Sequence, residues 1–88
     1  MRYEDLIRDA RNEALTESGR VRAASDAIFV LCQQPGVAAR LSADDAALVV
    51  SLRDWVLRVA PLEPLPMSPS EAVALAERVH KARSSDDA

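Results

Sequence analysis

Apolar residues recur along most of this chain at intervals of three and four positions, the repeat of a helix with one buried face. The first such stretch covers residues 3–18, and the Ser-Gly pair at 18–19 is expected to end it in a tight hairpin. The second covers residues 20–34 and is apolar over most of its circumference, so we expect neighbours on two sides. The Pro-Gly pair at 35–36 ends it.

The second half of the chain predicts two more helices with a proline-rich segment between them. After a connector at residues 37–41 with room for one helical turn, Ser42 begins a third helix that also has a narrow polar stripe and should be buried broadly. Residues 61–67 contain three prolines and read as an extended crossing. The last helix has the clearest start, with Ser68 as the cap, Pro69 in the first turn and Glu71 completing a capping box.

Together these patterns predict an all-α fold, a small four-helix domain. Its N-terminal helical hairpin is followed by two further helices that the proline-rich crossing joins. We assign residues 1–83 to a single helical domain and residues 84–88 to a disordered acidic tail. Composition agrees, because 49% of the chain is hydrophobic but only 3% is aromatic. The apolar residues are mainly Ala, Val and Leu, which suit helix packing.

Charge and hydropathy disfavour several classes of partner. The net charge is −3, and basic residues are dispersed among acidic ones, whereas a nucleic-acid binder usually presents a basic stripe. No apolar run approaches the roughly 20 residues that span a bilayer, and the charged N-terminus lacks the apolar stretch of a signal peptide. We therefore expect a cytoplasmic protein with no nucleic-acid or membrane partner. Arginine and alanine richness is typical of GC-rich bacterial genomes.

Residues with catalytic or metal-binding chemistry are few. The chain has one cysteine, Cys32, in an apolar run that indicates a buried thiol, and one histidine, His80, among basic residues that would repel a metal ion. The adjacent acids Asp44 and Asp45 fit a helix N-terminus, where negative charge is favourable. We therefore predict no catalytic residues, no metal site and no cofactor, and expect that the protein is not an enzyme. The chain also lacks the site of an acyl carrier protein, whose carrier serine follows an aspartate at a helix start. Here Ser25 precedes the aspartate and lies in mid-helix.

The remaining functional signal is excess apolar surface, which indicates a non-enzymatic protein–protein interaction module. It would be a homodimer or the small subunit of a complex, such as an escort chaperone, an immunity protein or an antitoxin. Phe29 marks the suspected surface because it shares a helix face with polar residues, and either residues 61–67 or another chain would cover it. The alternative is a small-molecule or lipid-tail binder with an apolar pocket near Trp55. The hypothetical interface consists of Phe29, Arg22, Asp26, Gln33, Val50 and Leu57.

Overall fold

A computed structural model describes residues 2–58 and 64–84 of the chain and confirms the all-α fold class. Over these residues the chain forms four α-helices and no strand. The helices are α1 (Tyr3–Arg11), α2 (Glu17–Cys32), α3 (Ala43–Arg58) and α4 (Pro69–Ser84), with a short 3-10 helix at Ala38–Arg40. None of these helices is long and apolar enough to cross a membrane.

The hairpin between α1 and α2 lies earlier than the sequence pattern predicted. Helix α1 ends at Arg11, and the side chain of Asn12 accepts a hydrogen bond from the N–H of Ala14 at 3.0 Å. Thr16 then caps α2, because its side-chain oxygen accepts from the N–H of Gly19 at 3.1 Å. The predicted break at residues 18–19 is therefore wrong. A Cβ added to Gly19 would lie 3.2 Å from the Thr16 hydroxyl, so a small residue favours this cap.

An arginine of α2 holds the end of α1 in place. The Nε–H of Arg20 donates to the carbonyl of Ala10 at 2.9 Å, and this carbonyl lies in the last turn of α1, where it has no partner within the helix. The charged donor strengthens the bond. This contact ties the end of α1 to the start of α2, so Arg20 has a structural role.

Helix α2 is the central element, as its broad apolar circumference predicted. It packs extensively against both α1 and α4. Ser25 is the one fully buried polar residue of α2, and it donates its hydroxyl hydrogen to the carbonyl of Val21 at 2.9 Å. The buried apolar residues of α2 are Val21, Ala23, Ala24, Ala27, Ile28 and Leu31.

The predicted ends and starts of the later elements agree well with the structure. Gly36 follows α2 with a φ of 85°, a left-handed conformation that glycine adopts without strain. The hydroxyl of Ser42 accepts from the N–H of Asp45 at 3.1 Å and caps α3. The hydroxyl of Ser68 accepts from the N–H of Glu71 at 3.2 Å and also donates to its carboxylate, which confirms the start of α4.

The core is built by three helices, and α3 contributes little to it. Among the described residues, Leu52 is the one side chain of α3 that is fully buried, so the broad burial expected for this helix is wrong. Helix α3 has far fewer contacts with α2 than α1 and α4 have. The buried apolar residues outside α2 are Leu6, Ile7, Ala10, Val37, Leu52, Met67, Ala72, Val73, Leu75, Ala76 and Val79.

The proline-rich crossing is described only from Pro64 onward. Residues 64–68 have no regular secondary structure, with Leu65 half-buried against the core and Met67 buried. Residues 59–63, which include the expected end of α3, lie outside the described residues. The expected acidic tail does too, except that Ser84 is the last residue of α4.

Candidate interaction surface

One side of α3 carries an exposed, mainly apolar row that we call the outer face: Ala43, Ala47, Val50, Asp54 and Leu57. All five residues are exposed, and they recur at alternating intervals of four and three positions. Leu57 is 75% exposed and Val50 is 44% exposed. The interval pattern is that of the seam along which one helix packs on another. The outer face therefore has the geometry of a helix-packing surface, and within residues 2–58 and 64–84 no other helix covers it.

The orientation of α3 follows from its other side. Leu52 is fully buried there, and Leu48, Val49 and Trp55 are half-buried against the core. A helix turns about 100° per residue, which places Val50 and Leu57 roughly opposite Leu52. Val50 and Leu57, which we predicted as interface residues, thus share one exposed face two turns apart.

An ion pair fixes the first turn of α3 against α4. The Nε of Arg78 lies 3.1 and 3.2 Å from the two carboxylate oxygens of Asp45, and Asp45 is the less exposed partner. The same aspartate occupies the N-terminal turn, where its charge is favourable. This contact ties the first turn of α3 to α4. The outer face lies on the side of α3 roughly opposite Leu52.

The other predicted interface residues lie on the outward side of α2. Phe29 is half-buried and packs against the core of its own chain. Arg22 and Asp26 form an i,i+4 ion pair at 3.7 Å. Arg22 and Gln33 are exposed. This row is more polar than the outer face of α3 and has less apolar area to offer a partner.

The alternative site near Trp55 is a shallow groove of about 250 Å³. Three polar side chains line it, Ser51, Asp54 and Arg58, together with Trp55 and two prolines of the crossing, Pro64 and Pro66. Pockets for apolar ligands are lined predominantly by hydrophobic side chains. This groove is therefore poorly suited to a lipid tail.

A cluster that the sequence did not indicate joins α1 to α4. The rings of Tyr3 and His80 stack with centroids 4.5 Å apart and planes inclined by 7°. Arg11 forms an ion pair with Glu77 beside them. Burial, followed by the negative charge of Glu77, raises the pKa of the Tyr3 phenol above its ordinary value. His80 is half-buried in this cluster. The residues of α1 and α4 that form this cluster are too far apart in the sequence for the helical repeat to relate them.

A second groove, of about 390 Å³, separates the start of α3 from the end of α4. Arg40, Arg78 and Lys81 give it positive charge, but the carboxylate of Asp45 lies among them and pairs with Arg78. The internal ion pair neutralises part of that charge. The groove is thus a mixed-charge surface.

Cys32 is half-buried, less enclosed than the sequence suggested. Burial raises the pKa of its thiol, so the nucleophilic thiolate is disfavoured at neutral pH. Within the described parts of the chain, no three His, Cys, Asp or Glu side chains are grouped so that they could hold a metal ion.

Neither a protein-family model, nor a curated protein, nor a solved structure significantly matches this chain. The function must therefore be argued from the residues and their arrangement.

Proposed function

We propose that this chain is a non-enzymatic protein–protein interaction module and that the outer face of α3 is its binding surface. The observation that carries the proposal is the placement of Val50 and Leu57 on a face that no other helix covers in the part of the chain that the structure describes. Single exposed apolar residues are ordinary in monomers, whereas apolar residues grouped along one helix face mark contact sites. We place the protein in the bacterial cytoplasm, bound to a second copy or to a larger subunit.

The weak attachment of α3 supports this proposal. A helix with one fully buried side chain gains little from its own core, yet α3 has apolar residues on two sides. In a domain of this size, a further packing surface is commonly supplied by oligomerisation or by a partner. A partner helix on the outer face would enclose α3 on both sides, as its sequence pattern favours.

A small-molecule or lipid-tail binder takes second place. The groove beside Trp55 is bordered by Asp54 and Arg58, and an apolar ligand would desolvate both charges without replacing their contacts with water. The outer face, in contrast, requires the desolvation of one charged side chain per chain, Asp54.

Native mass spectrometry of protein purified gently from its own host tests the proposed function. Leu57→Asp replaces the highly exposed leucine of the surface with a charge, and we expect it to reduce the complex to the 9.6 kDa monomer. Leu15→Asp is the matched control, because Leu15 is 41% exposed but lies in the hairpin between α1 and α2. It should leave the complex intact.

Circular dichroism would establish that both variants retain their helices. Two results would refute the proposed function: monomers only in the wild type and in both variants, or a complex that Leu57→Asp does not weaken. A bound small molecule whose loss follows substitution of Trp55 would favour the second candidate.

A further inference from the structure

We propose that the occupant of the outer face is a second copy of this chain, with the two α3 helices packed antiparallel about a twofold axis at Val50. This inference rests on the proposed function of the outer face and specifies the partner. Two properties of α3, the order of its small and large residues and the order of its charges, make it self-complementary in the antiparallel direction only. A twofold contact requires such self-complementarity, because a residue that contacts a second residue of the other copy is matched by the same contact in reverse.

The first property is side-chain size. Ala43 and Ala47 occupy the N-terminal half of the outer face, and Leu57 occupies its C-terminal end. With Val50 on the axis, the antiparallel arrangement puts Leu57 opposite Ala43 of the second copy, so a large side chain fills the space that a small one leaves. A parallel arrangement would set leucine on leucine and alanine on alanine, which holds the helices apart at one end and leaves a void at the other.

The second property is charge. Asp44 lies in the first turn of α3 and Arg58 in its last turn. Both are exposed and lie on the same flank of the outer face. They are about 21 Å apart along the helix, too far to interact within one chain. Antiparallel packing brings each next to the opposite charge of the second copy, so two interchain ion pairs form at the ends of the contact. Parallel packing about a twofold axis would instead place the two copies of each charged residue on opposite flanks of the contact, so no interchain ion pair would form.

Asp54 limits the strength of this contact. It lies within the outer face, between Val50 and Leu57, so packing would desolvate its carboxylate in both copies. A contact between two 16-residue helices is smaller than the interfaces of about 1,200 Å² that are typical of stable complexes. The dimer should therefore be reversible and depend on protein concentration, and Asp54→Leu should strengthen it.

Sedimentation equilibrium of the purified recombinant chain over a wide concentration range tests the inference. We expect a monomer–dimer equilibrium that Asp44→Arg and Arg58→Asp each weaken by about tenfold or more, because each change converts two attractive contacts into repulsive ones. An equimolar mixture of the two variants should regain the wild-type affinity, since every interchain pair is then attractive. Arg53→Asp is the matched control. It makes the same charge change on the same helix but on the other flank, and it should have a much smaller effect.

Disulfide trapping in a Cys32→Ser background tests the direction of packing independently. Val50→Cys should form a covalent dimer readily, because the two introduced thiols meet at the axis. Ala43→Cys alone should crosslink poorly, whereas its mixture with Leu57→Cys should crosslink well. Efficient crosslinking of Ala43→Cys with itself would overturn the antiparallel arrangement.

A recombinant wild type that remains monomeric at every concentration would overturn the self-association inference. The proposed function would survive that result if the native complex contained a different chain and still dissociated with Leu57→Asp. A dimer that Leu57→Asp leaves unchanged would overturn the inference in a different way, since self-association would then use another surface.

Discussion

Two leucines of α3 provide a direct test of how this helix is oriented. Leu52 is 0% exposed and Leu57 is 75% exposed, although both lie on the same helix five residues apart. The same substitution, Leu to Ala, removes the same atoms at both positions and leaves helix propensity nearly unchanged. Any difference between Leu52→Ala and Leu57→Ala therefore reports burial.

The expected magnitudes follow from those exposures. Leu52→Ala removes three fully buried carbon atoms, for about 2.4 kcal/mol of lost transfer free energy, and the cavity left behind raises the total to about 3–4 kcal/mol. At Leu57 only about a quarter of the side chain is covered, so the loss should be about 0.5 kcal/mol. The first change removes a large fraction of the stability of a small domain, whereas the second is barely measurable.

Urea denaturation followed by circular dichroism measures both values. The experiment belongs at the lowest workable protein concentration, so that self-association does not add to the stability of the wild type. For a domain of this length, the Leu52 variant should also melt more than about 10 °C lower. Equal losses at the two positions, or a larger loss at Leu57, would mean that α3 is rotated and that the outer face is a buried one.

Four further outcomes are expected. Ser68→Ala should lower the free energy of unfolding by about 1 kcal/mol, because the N–H of Glu71 loses its acceptor, and an unchanged urea midpoint would contradict the cap. The single tyrosine, Tyr3, should titrate above its usual pKa of 10.0 in an ultraviolet absorbance titration. Because its folded pKa is raised, its contribution to stability is complete below pH 10.0 and is lost as pH rises through the folded pKa; a midpoint at or below 10.0 would refute this. Cys32 should be alkylated more slowly than free cysteine near neutral pH, since burial raises its pKa above 9.0, and equal rates would show an accessible thiolate. Phe29→Ala should cost about 2 kcal/mol, roughly half the loss of a fully buried phenylalanine, and an unchanged stability would show that its core contacts are incidental.

The elements that local chemistry specifies were predictable from the sequence. Ser68 with Pro69 marks the start of α4, Ser42 marks that of α3, and the Pro-Gly pair at 35–36 follows the end of α2, as expected. A cap or a turn depends on residues within three or four positions, so the relevant partners are adjacent in the sequence. The same reasoning failed between α1 and α2, where the apolar repeat continues through the loop. The side chains of Asn12 and Thr16 bind backbone N–H groups there, so the first helix ends and the second begins earlier than the repeat predicts.

The candidate site was only half predictable. The sequence identified Val50 and Leu57 as apolar residues in excess of what the helix repeat required, but it placed them beside a buried stripe. It gave no indication that Tyr3 stacks on His80 or that Arg78 binds Asp45, since the members of each pair are far apart in the sequence.

The sequence by itself determined the helical class, the number of helices and most of their ends, because hydrophobic periodicity and capping act over a few residues. Only the tertiary structure decided which side of α3 is covered. A helix with apolar residues on two sides can bury either one, and the choice depends on how much core the other helices leave to fill. Here α1, α2 and α4 enclose most of that core among themselves, and Leu52 is the one side chain of α3 that enters it fully. The remaining apolar side of α3 lies at the surface, which is why the function proposed for this chain is placed there.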